Sequence, residues 1–478
     1  MTRRTDAADV VVLGGGLAGL AASLAFARRG RRVLLLERDD GSTDRDADGA
    51  FERWQRPGIA HFRQPHNFLG LARQLLAREA PDVLAAVLAL GALENRQYEL
   101  LPDTPQPGDE QLVSLGARRP VFELALRQAV EAEPNVTVRS RTRVVGLVAR
   151  EPHNARIHVT GVHVEGGDEI AAELVVDALG RTSRVASWLR AFGARPPLER
   201  RSECGLLYYS RHFRFRDGVE MPALPTLLRG PRAEIGYLAY SVFVEDNRSF
   251  ALAVMIPTWD RELRVLRHEQ AYMAATLAMP PLVPWLHPDQ SEPITPVLPM
   301  GSLQNLHRSL VVDGEPVATG IQPIGDALCH TNPSFAYGAS LSLHHGFTLA
   351  RLADGAPTST ATAFDAEVGA DAASRYDAVS AEDRDRLRLW QGEPLDVHDP
   401  DDSLPLFLRM TVYAQAARDP EIFRAVARRV NLLDPADALG RNHELLKRAQ
   451  QLAQETEPPP PAGPPRERLR ELVSQPVT

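Results

Sequence analysis

The chain of 478 residues carries 54 Lys+Arg against 62 Asp+Glu, a net charge of -8, so it offers no basic stripe for a phosphate backbone and nucleic acid is not an expected partner. Hydrophobic residues make up 44% and charged residues 24%, the balance of an ordinary globular protein, and at about 100–200 residues per domain the length predicts two or three units. Two cysteines far apart, Cys204 and Cys329, with no CxxC spacing, support neither a disulfide framework nor a metal site and fit a reducing cytoplasm.

From the N-terminus, Val10 to Leu13 reads as a buried strand, Leu17 to Arg29 as a helix and Arg32 to Leu36 as a second buried strand, a βαβ unit of the parallel type. The uncharged run from Val10 to Ala27 mimics a signal peptide or membrane span. Three consecutive glycines interrupt it and Asp6 and Asp9 precede it, so neither export nor a span is expected. Asp39 to Gly58 is polar and predicts a long loop. Helical periodicity returns over Phe68 to Leu90 and again over Phe122 to Ala132, followed by strands at Val136 to Arg139, Arg143 to Ala149, Arg156 to Val164 and Glu169 to Asp177.

Stretches of β character rich in aromatics follow at Leu206 to Phe215, Ile235 to Val244 and Phe250 to Ile256. Val311 to Gly325 regains strand character and Ala339 to Ala353 reads as a helix. From Thr358 the pattern is helical, with helices at Leu404 to Ala416, Pro420 to Val430 and His443 to Ala453. A proline-rich joint at Pro458 to Pro465 and a short amphipathic stretch, Arg466 to Val473, end the chain. The resulting organisation is an α/β fold: a dinucleotide-binding domain in two parts, residues 1–200 and 306–357, interleaved with a mixed β-sheet substrate domain, residues 201–305, and extended by a helical region, residues 358–478.

Gly14, Gly16 and Gly19 form GxGxxG directly between the first strand and helix, the context that makes the pattern informative. The first glycine permits the tight turn, the second admits a pyrophosphate to the backbone amides, and the third lets helix and strand pack. The helix N-terminus then faces the anion. Glu37, at the end of the second strand, is placed to accept hydrogen bonds from an adenosine ribose and disfavours a 2′-phosphate. Arg38 follows it. On these residues the cofactor is FAD or NAD, and the alternative reading is a turn with no ligand.

Two later segments separate these options: LVVDALGRTSRVASWL over Leu174 to Leu189 and PIGDALCHTNPSFAYGASLSLHHG over Pro323 to Gly346. On these, the chain resembles the FAD-dependent monooxygenases that share the para-hydroxybenzoate hydroxylase type of fold, with a Rossmann-like FAD domain of the GR2 type. The resemblance runs from Val10 to Leu352. It implies FAD, with Asp177 and Gly180 in the strand-end motif, Gly325 and Asp326 beside the ribityl chain, and Pro333, Gly338 and Ala339 beside the isoalloxazine. It further implies an arginine reaching the phosphates or ribityl chain, Arg119, with Arg118 as its rival. A helix N-terminus behind Asp326 would aim its positive dipole at the flavin.

RPGIAHFRQPHNFL over Arg56 to Leu69 and EPITPVLPMGSL over Glu292 to Leu303 are similar to a subgroup tied to natural-product tailoring, including polyether-type epoxidases and geranylgeranyl-reductase relatives. That subgroup usually carries glutamine at the position of His61, and PxYGQG where this chain has PSFAYG. His61, Arg63 and His66 are candidate donors near the flavin face, set against solvated or capping roles. Tyr209, Phe213 and Tyr240 are candidate substrate-pocket residues, set against plain sheet core. Cys329 and His330, inside the flavin-side loop, are candidates for covalent or redox involvement, set against a buried structural thiol.

The resemblance implies monooxygenation of a mostly apolar small molecule, a hydroxylation or epoxidation through a flavin C4a-hydroperoxide. O2 would be a substrate, with NAD(P)H or a partner flavin reductase as electron donor. Related halogenases rely on a lysine between flavin and substrate and carry a WxWxIP signature; the sole lysine is Lys447 and no tryptophans have that spacing. A geranylgeranyl-reductase-like activity would call for YxWxFP where this chain has GYLAYSVF. A non-enzymatic flavoprotein docking through its C-terminal helices is the remaining alternative.

Overall fold

In the computed structural model, which describes all residues except 1–3, 43, 154–155, 223–229, 456, 458–459 and 475–478, β1 (Arg4–Leu13) runs into α1 (Leu17–Arg28) and returns as β2 (Val33–Leu36). Val10 to Leu13 and Val33 to Leu36 are buried throughout, as expected of strands covered on both faces. The expected loop after β2 contains one short helix, α2 (Ala47–Glu52), which Asp46 caps by accepting from the Gly49 N–H at 2.7 Å. Such a cap is a local signal that the loop reading passed over. The helical stretch after Phe68 divides into two helices, Gly70–Glu79 and Pro81–Ala89, because Pro81 starts a new first turn after the extended Ala80.

Next come α3 (Arg119–Ala132) and β3 (Val136–Arg139), then the strands β4 (Val144–His153), β5 (Arg156–Val164) and β6 (Glu169–Asp177). β3, β2, β1 and β6 lie side by side and parallel. The first half of β6 pairs antiparallel with β5, which pairs antiparallel with β4. Its second half pairs parallel with a strand from far along the chain, described below.

β7 (Leu206–Phe215), β8 (Arg232–Glu234), β9 (Ala239–Val244) and β10 (Ser249–Pro257) form an antiparallel sheet in the order β8, β9, β10, β7. The single strand expected over Ile235 to Val244 is a hairpin: Gly236 has φ +82° and the Ile235 N–H donates to the Leu238 carbonyl at 2.9 Å. One face of this sheet packs Phe213, Phe250 and Tyr240 against α4 (Glu269–Leu277) and Trp285. The other face borders the cleft described below.

β11 (Ile321–Pro323) then rejoins the parallel sheet, pairing with Val175 to Asp177 of β6, and leads to α5 (Tyr337–Leu352), which packs on α1. The close approach is visible at Gly346, where a Cβ would stand 2.7 Å from the Ala22 nitrogen. The C-terminal region supplies α6 (Ala370–Trp390), α7 (Pro420–Val430), α8 (His443–Gln454) and α9 (Arg466–Ser474). α7 and α8 bury Ile422, Phe423, Leu445 and Leu446 against Leu112 and Tyr98, while Leu469 and Val473 of α9 join the core of the antiparallel sheet. No helix among the described residues is long and apolar enough to cross a membrane.

The two sheets are joined by a buried charge pair. Arg118 donates through its backbone N–H and its guanidinium to Asp246, at 2.6 to 3.2 Å, and both side chains are at most 1% exposed. Arg118→Ala would leave the Asp246 carboxylate buried without its cation. A loss of about 3–5 kcal/mol in urea unfolding is expected, and a loss below about 1 kcal/mol would show that the pair does not join the sheets.

Candidate active site

At the C-terminal ends of β1 and β6 the backbone closes to the limit of contact. Gly14 sits at φ +98°, and a Cβ there would lie 2.7 Å from the Ala178 carbonyl oxygen. A Cβ on Gly19 would fall 1.8 Å from the Gly14 oxygen. Gly16 differs: the nearest atom to its Cβ position is Ile59 Cδ1 at 3.7 Å, then Arg119 Nη2 at 3.9 Å. The protein itself therefore requires glycine at 14 and 19, whereas the opening at Gly16 faces a cleft that only a ligand would fill.

Glu37 is buried, and its carboxylate accepts from the Gly15 N–H at 2.7 Å, the Asp39 N–H at 2.8 Å and Arg56 at 2.8 Å. A carboxylate has about four lone-pair sites, so one remains for a ribose hydroxyl. Arg56 bridges Glu37, Asp39 and Glu123 and donates to the Gly15 carbonyl at 3.2 Å, all with its side chain 1% exposed. It braces the glycine turn. Arg38 is half exposed at the cleft edge.

Arg119, at the start of α3, pairs with Glu123 at 3.2 Å and points toward Gly16, while Arg118 is committed to Asp246 and to the face of Phe51. Of the two rivals, the structure therefore puts Arg119 in the cleft. Asp177 does not line the cleft; it accepts from the Leu179 N–H at 3.1 Å and the Ser183 hydroxyl at 2.6 Å, and burial raises its pKa to about 6. Its carboxylate shapes the turn that presents Gly180.

Gly325, at φ +56°, and Asp326 stand opposite Gly180. Burial alone would raise the Asp326 pKa, but the His330 imidazole at 3.1 Å, with His61 and Arg119, holds it well below the usual carboxylate range. Pro333, Gly338 and Ala339 line the cleft, the last two in the first turn of α5, whose N-terminal dipole points into it. Ala336 adopts φ +56° at the place where the resembling subgroup carries glycine. Cys329 is buried, with its thiol pushed up to about 12 by burial, the setting of a structural thiol.

The histidines meet as a pair. The rings of His61 and His66 stack at 5.8 Å, and His66 Nδ1 lies 2.8 Å from the Gln64 carbonyl, so Nδ1 carries the proton and Nε2 faces Arg119 at 3.4 Å. Burial, then Arg119, lowers His66 to about 3 and moves His61 well below the ordinary histidine value. Arg63 lies elsewhere: its guanidinium donates to the carbonyls of Phe51, Glu52 and Trp54 at the end of α2, so its expected place at the flavin face is corrected to a helix C-cap.

Of the three aromatic candidates, the two on β7 take the sheet-core alternative. Tyr209 and Phe213 face the core beneath α4, whereas Tyr208 and Ser210 face the cleft. Tyr240 packs in that same core and also reaches the cleft border, donating to the Ala462 carbonyl at 3.1 Å; Tyr237 donates to the Pro464 carbonyl at 2.7 Å. Pro460 to Pro465 thus lie along the cleft wall. Sequence reading missed the roles of Arg56 and Asn332, and Tyr208 takes the pocket side of the choice between pocket and sheet core. Tyr208 donates to Asn332, which donates at 2.6 Å to the fully buried Asp383 of α6.

The glycine turn, Glu37, Arg119, the histidine pair, Asp326 and Tyr208 border one cleft of about 2200 Å³, roughly twice the ~1,000 Å³ at the upper end for a single small-molecule site. Its glycine-lined half fits a dinucleotide, and its other half lies against the antiparallel sheet.

Residues 9–206 match the family model described as glucose inhibited division protein A. Protein Rv3254 of Mycobacterium tuberculosis is 27% identical over 362 residues, 70% of each chain. Squalene epoxidase erg1 of Schizosaccharomyces pombe is 30% identical over 138 residues, 29% of this chain and 28% of that protein. Among solved structures, the flavin-dependent brominase Bmp2 aligns with TM-score 0.62 at 17% identity, covering 95% of this chain and all of that one. PqsL of Pseudomonas aeruginosa, described as a probable FAD-dependent monooxygenase, aligns with TM-score 0.55 at 15% identity, covering 81% of this chain and 99% of that one. The chain has the fold of the FAD-dependent oxidoreductases. Within that class its fold is the one shared by flavin monooxygenases and halogenases.

The glycines give a paired test. Gly16→Ala should leave thermal stability unchanged and lose flavin retention, while Gly19→Ala should lower stability itself; a Gly16→Ala protein that keeps FAD as well as the parent would remove the pyrophosphate from this turn. His66 gives a second. Its folded value near 3 lies below the unfolded 6.5, so its contribution is complete above pH 6.5 and is lost as pH falls toward 3, at most about 1.4 kcal/mol per pH unit. Melting curves from pH 7.5 to 4.5 should fall less steeply for His66→Gln, and parallel curves would show that His66 is not held neutral.

Proposed function

We propose that this protein is an FAD-dependent monooxygenase that places one oxygen atom, by hydroxylation or epoxidation, on a mostly apolar small molecule. The carrying observation is the continuity of the cleft, which runs from the glycine turn past Asp326 and the α5 N-terminus to a wall built of Tyr208, Ala239, Phe243, Ala253 and Met255. Reduced FAD, when bound, supplies the activation of O2. Gly16 and the α1 N-terminus receive the pyrophosphate, Arg119 adds positive charge beside it, and Glu37 accepts from the ribose. The Asp326 carboxylate, kept ionised by His330, accepts from the ribityl chain.

His61 and His66, both neutral, offer a hydrogen bond without introducing a second charge beside Arg119. The sheet face and Pro460 to Pro465 exclude water from the reacting end, which a reactive oxygen donor requires. The similarity to squalene epoxidase and the fold of PqsL support oxygenation. Halogenation is the second reading, favoured by the brominase fold. Against it, no lysine is among the cleft-lining residues, and Lys447 sits on α8. The electron donor is NAD(P)H or a partner flavin reductase.

Purified protein loaded with FAD, supplied with NADH, NADPH or a flavin reductase, should consume O2 faster when a substrate is present and yield a product heavier by one oxygen in mass spectrometry. A product gaining two hydrogens, or gaining bromine or chlorine when halide is present, would replace the oxygenase reading by reduction or halogenation.

A further inference from the structure

On the side of the cleft formed by the antiparallel sheet, one guanidinium has no hydrogen-bond or ion-pair partner among the described residues. Arg232 lies on β8 in register with Ser241 of β9, and both line the cleft. It is exposed to the cleft, yet protein surrounds it closely enough that burial, then Arg409, lowers its pKa. It makes no hydrogen bond or ion pair among the described residues.

The carboxylates nearby are already engaged. Glu234, on the same face of β8, is held by Arg409 at 2.8 Å and by the Trp390 indole N–H at 2.8 Å. Glu382 takes Arg409 at 2.6 Å and Arg386 at 3.0 Å, and Asp383 takes Arg386 at 2.9 Å with Asn305 and Asn332. Arg429 turns to the Tyr413 hydroxyl at 3.1 Å and the Ala436 carbonyl. Four arginines here, Arg232, Arg386, Arg409 and Arg429, meet three carboxylates, so the cluster is one negative charge short, and the shortfall sits at Arg232, near Tyr413.

We infer that Arg232 is the anchor for a carboxylate on the substrate, so that the molecule oxygenated is an apolar acid bound with its acidic end at β8 and its apolar body along the sheet toward Asp326. This rests on the oxygenase reading for the identity of the ligand as substrate. A planar guanidinium presents paired N–H donors that match a carboxylate. A monoanion is favoured over a phosphate dianion because Arg409 and Arg386 are already engaged by Glu234 and Glu382, so a second charge would find no unmatched cation.

The test uses FAD-loaded protein and calorimetric titration with octanoate and 4-phenylbutanoate, each against its primary amide, and with octyl phosphate. Hydrogen bonds to a charged group of this kind correspond to about tenfold or more in affinity. The parent should bind each acid at least about tenfold tighter than its amide, and octanoate tighter than octyl phosphate. Arg232→Gln, which breaks no hydrogen bond or ion pair among the described residues, should bring the acid-to-amide ratio to about one, and Arg232→Lys should keep part of it. An unchanged ratio in Arg232→Gln, equal binding of acid and amide by the parent, or no binding of either acid would overturn the assignment; tighter octyl phosphate would replace carboxylate by phosphate. Protein that never retained flavin would sink the oxygenase reading instead, since the acid-to-amide ratio is read from heats of binding without turnover.

Discussion

The site depends on how closely three backbone turns pack at one edge of the parallel sheet. Gly14 ends β1 against the Ala178 carbonyl, the Ala178 N–H donates to Leu13, and the Ile324 N–H donates to Asp177. Each contact involves backbone that a Cβ or a shifted register would push apart. Because β6 is bonded on one side to β1 and on the other to β11, residues 14, 180 and 326 are fixed relative to one another although more than three hundred positions separate the first from the last. The helices that follow the first and third turns then direct both N-termini into the same space, and two partial positive charges converge there.

That convergence explains the buried ionic groups around it. A cleft prepared for a pyrophosphate needs cations, and cations held near a low-dielectric interior need carboxylates to hold them. Arg56 is enclosed by Glu37, Asp39 and Glu123, and Arg119 shares Glu123. Glu37 therefore does two things: it anchors the arginine that braces the glycine turn, and it keeps one acceptor site for a ribose. The two neutral histidines complete the arrangement, since a protonated imidazole beside Arg119 would add repulsion where an anion is to bind.

The legibility of this arrangement in the sequence follows the range of the interactions. GxGxxG with its flanking strands, the Glu37 position and the Gly325-Asp326 turn are local backbone requirements, and local requirements leave local signatures. Parity on β7 was not legible: Tyr208, Tyr209 and Phe213 are all large and aromatic, so hydrophobicity does not tell which set faces the core, and a one-residue shift exchanges the faces. Arg63 looked like a cleft residue from its place in the His61 to His66 segment, but its partners are carbonyls of α2, a helix whose existence rests on the Asp46 cap. Arg56 lay in a quoted motif, yet its role needs carboxylates from β2 and α3 that only the fold assembles. Ala336 in the left-handed region marks a place where the chain departs from the glycine of its resembling subgroup and still keeps the turn.

Arginine in place of lysine throughout reads from composition as coding bias, but in the folded chain it has a structural consequence. Arg56 reaches three carboxylates, Arg386 pairs with Glu382 and Asp383, and Arg118 binds Asp246 through two nitrogens while lying 4.6 Å from the Phe51 ring centre. A compact ammonium presents no such planar fork. A protein that ties its interior together with forked cations must match each with anions, and the matching is close at Arg56, Arg118 and Arg386. Against that regularity, a guanidinium facing the cleft with its neighbouring carboxylates all engaged is an incomplete pair, and what completes an incomplete pair inside a binding cleft is the molecule the cleft admits.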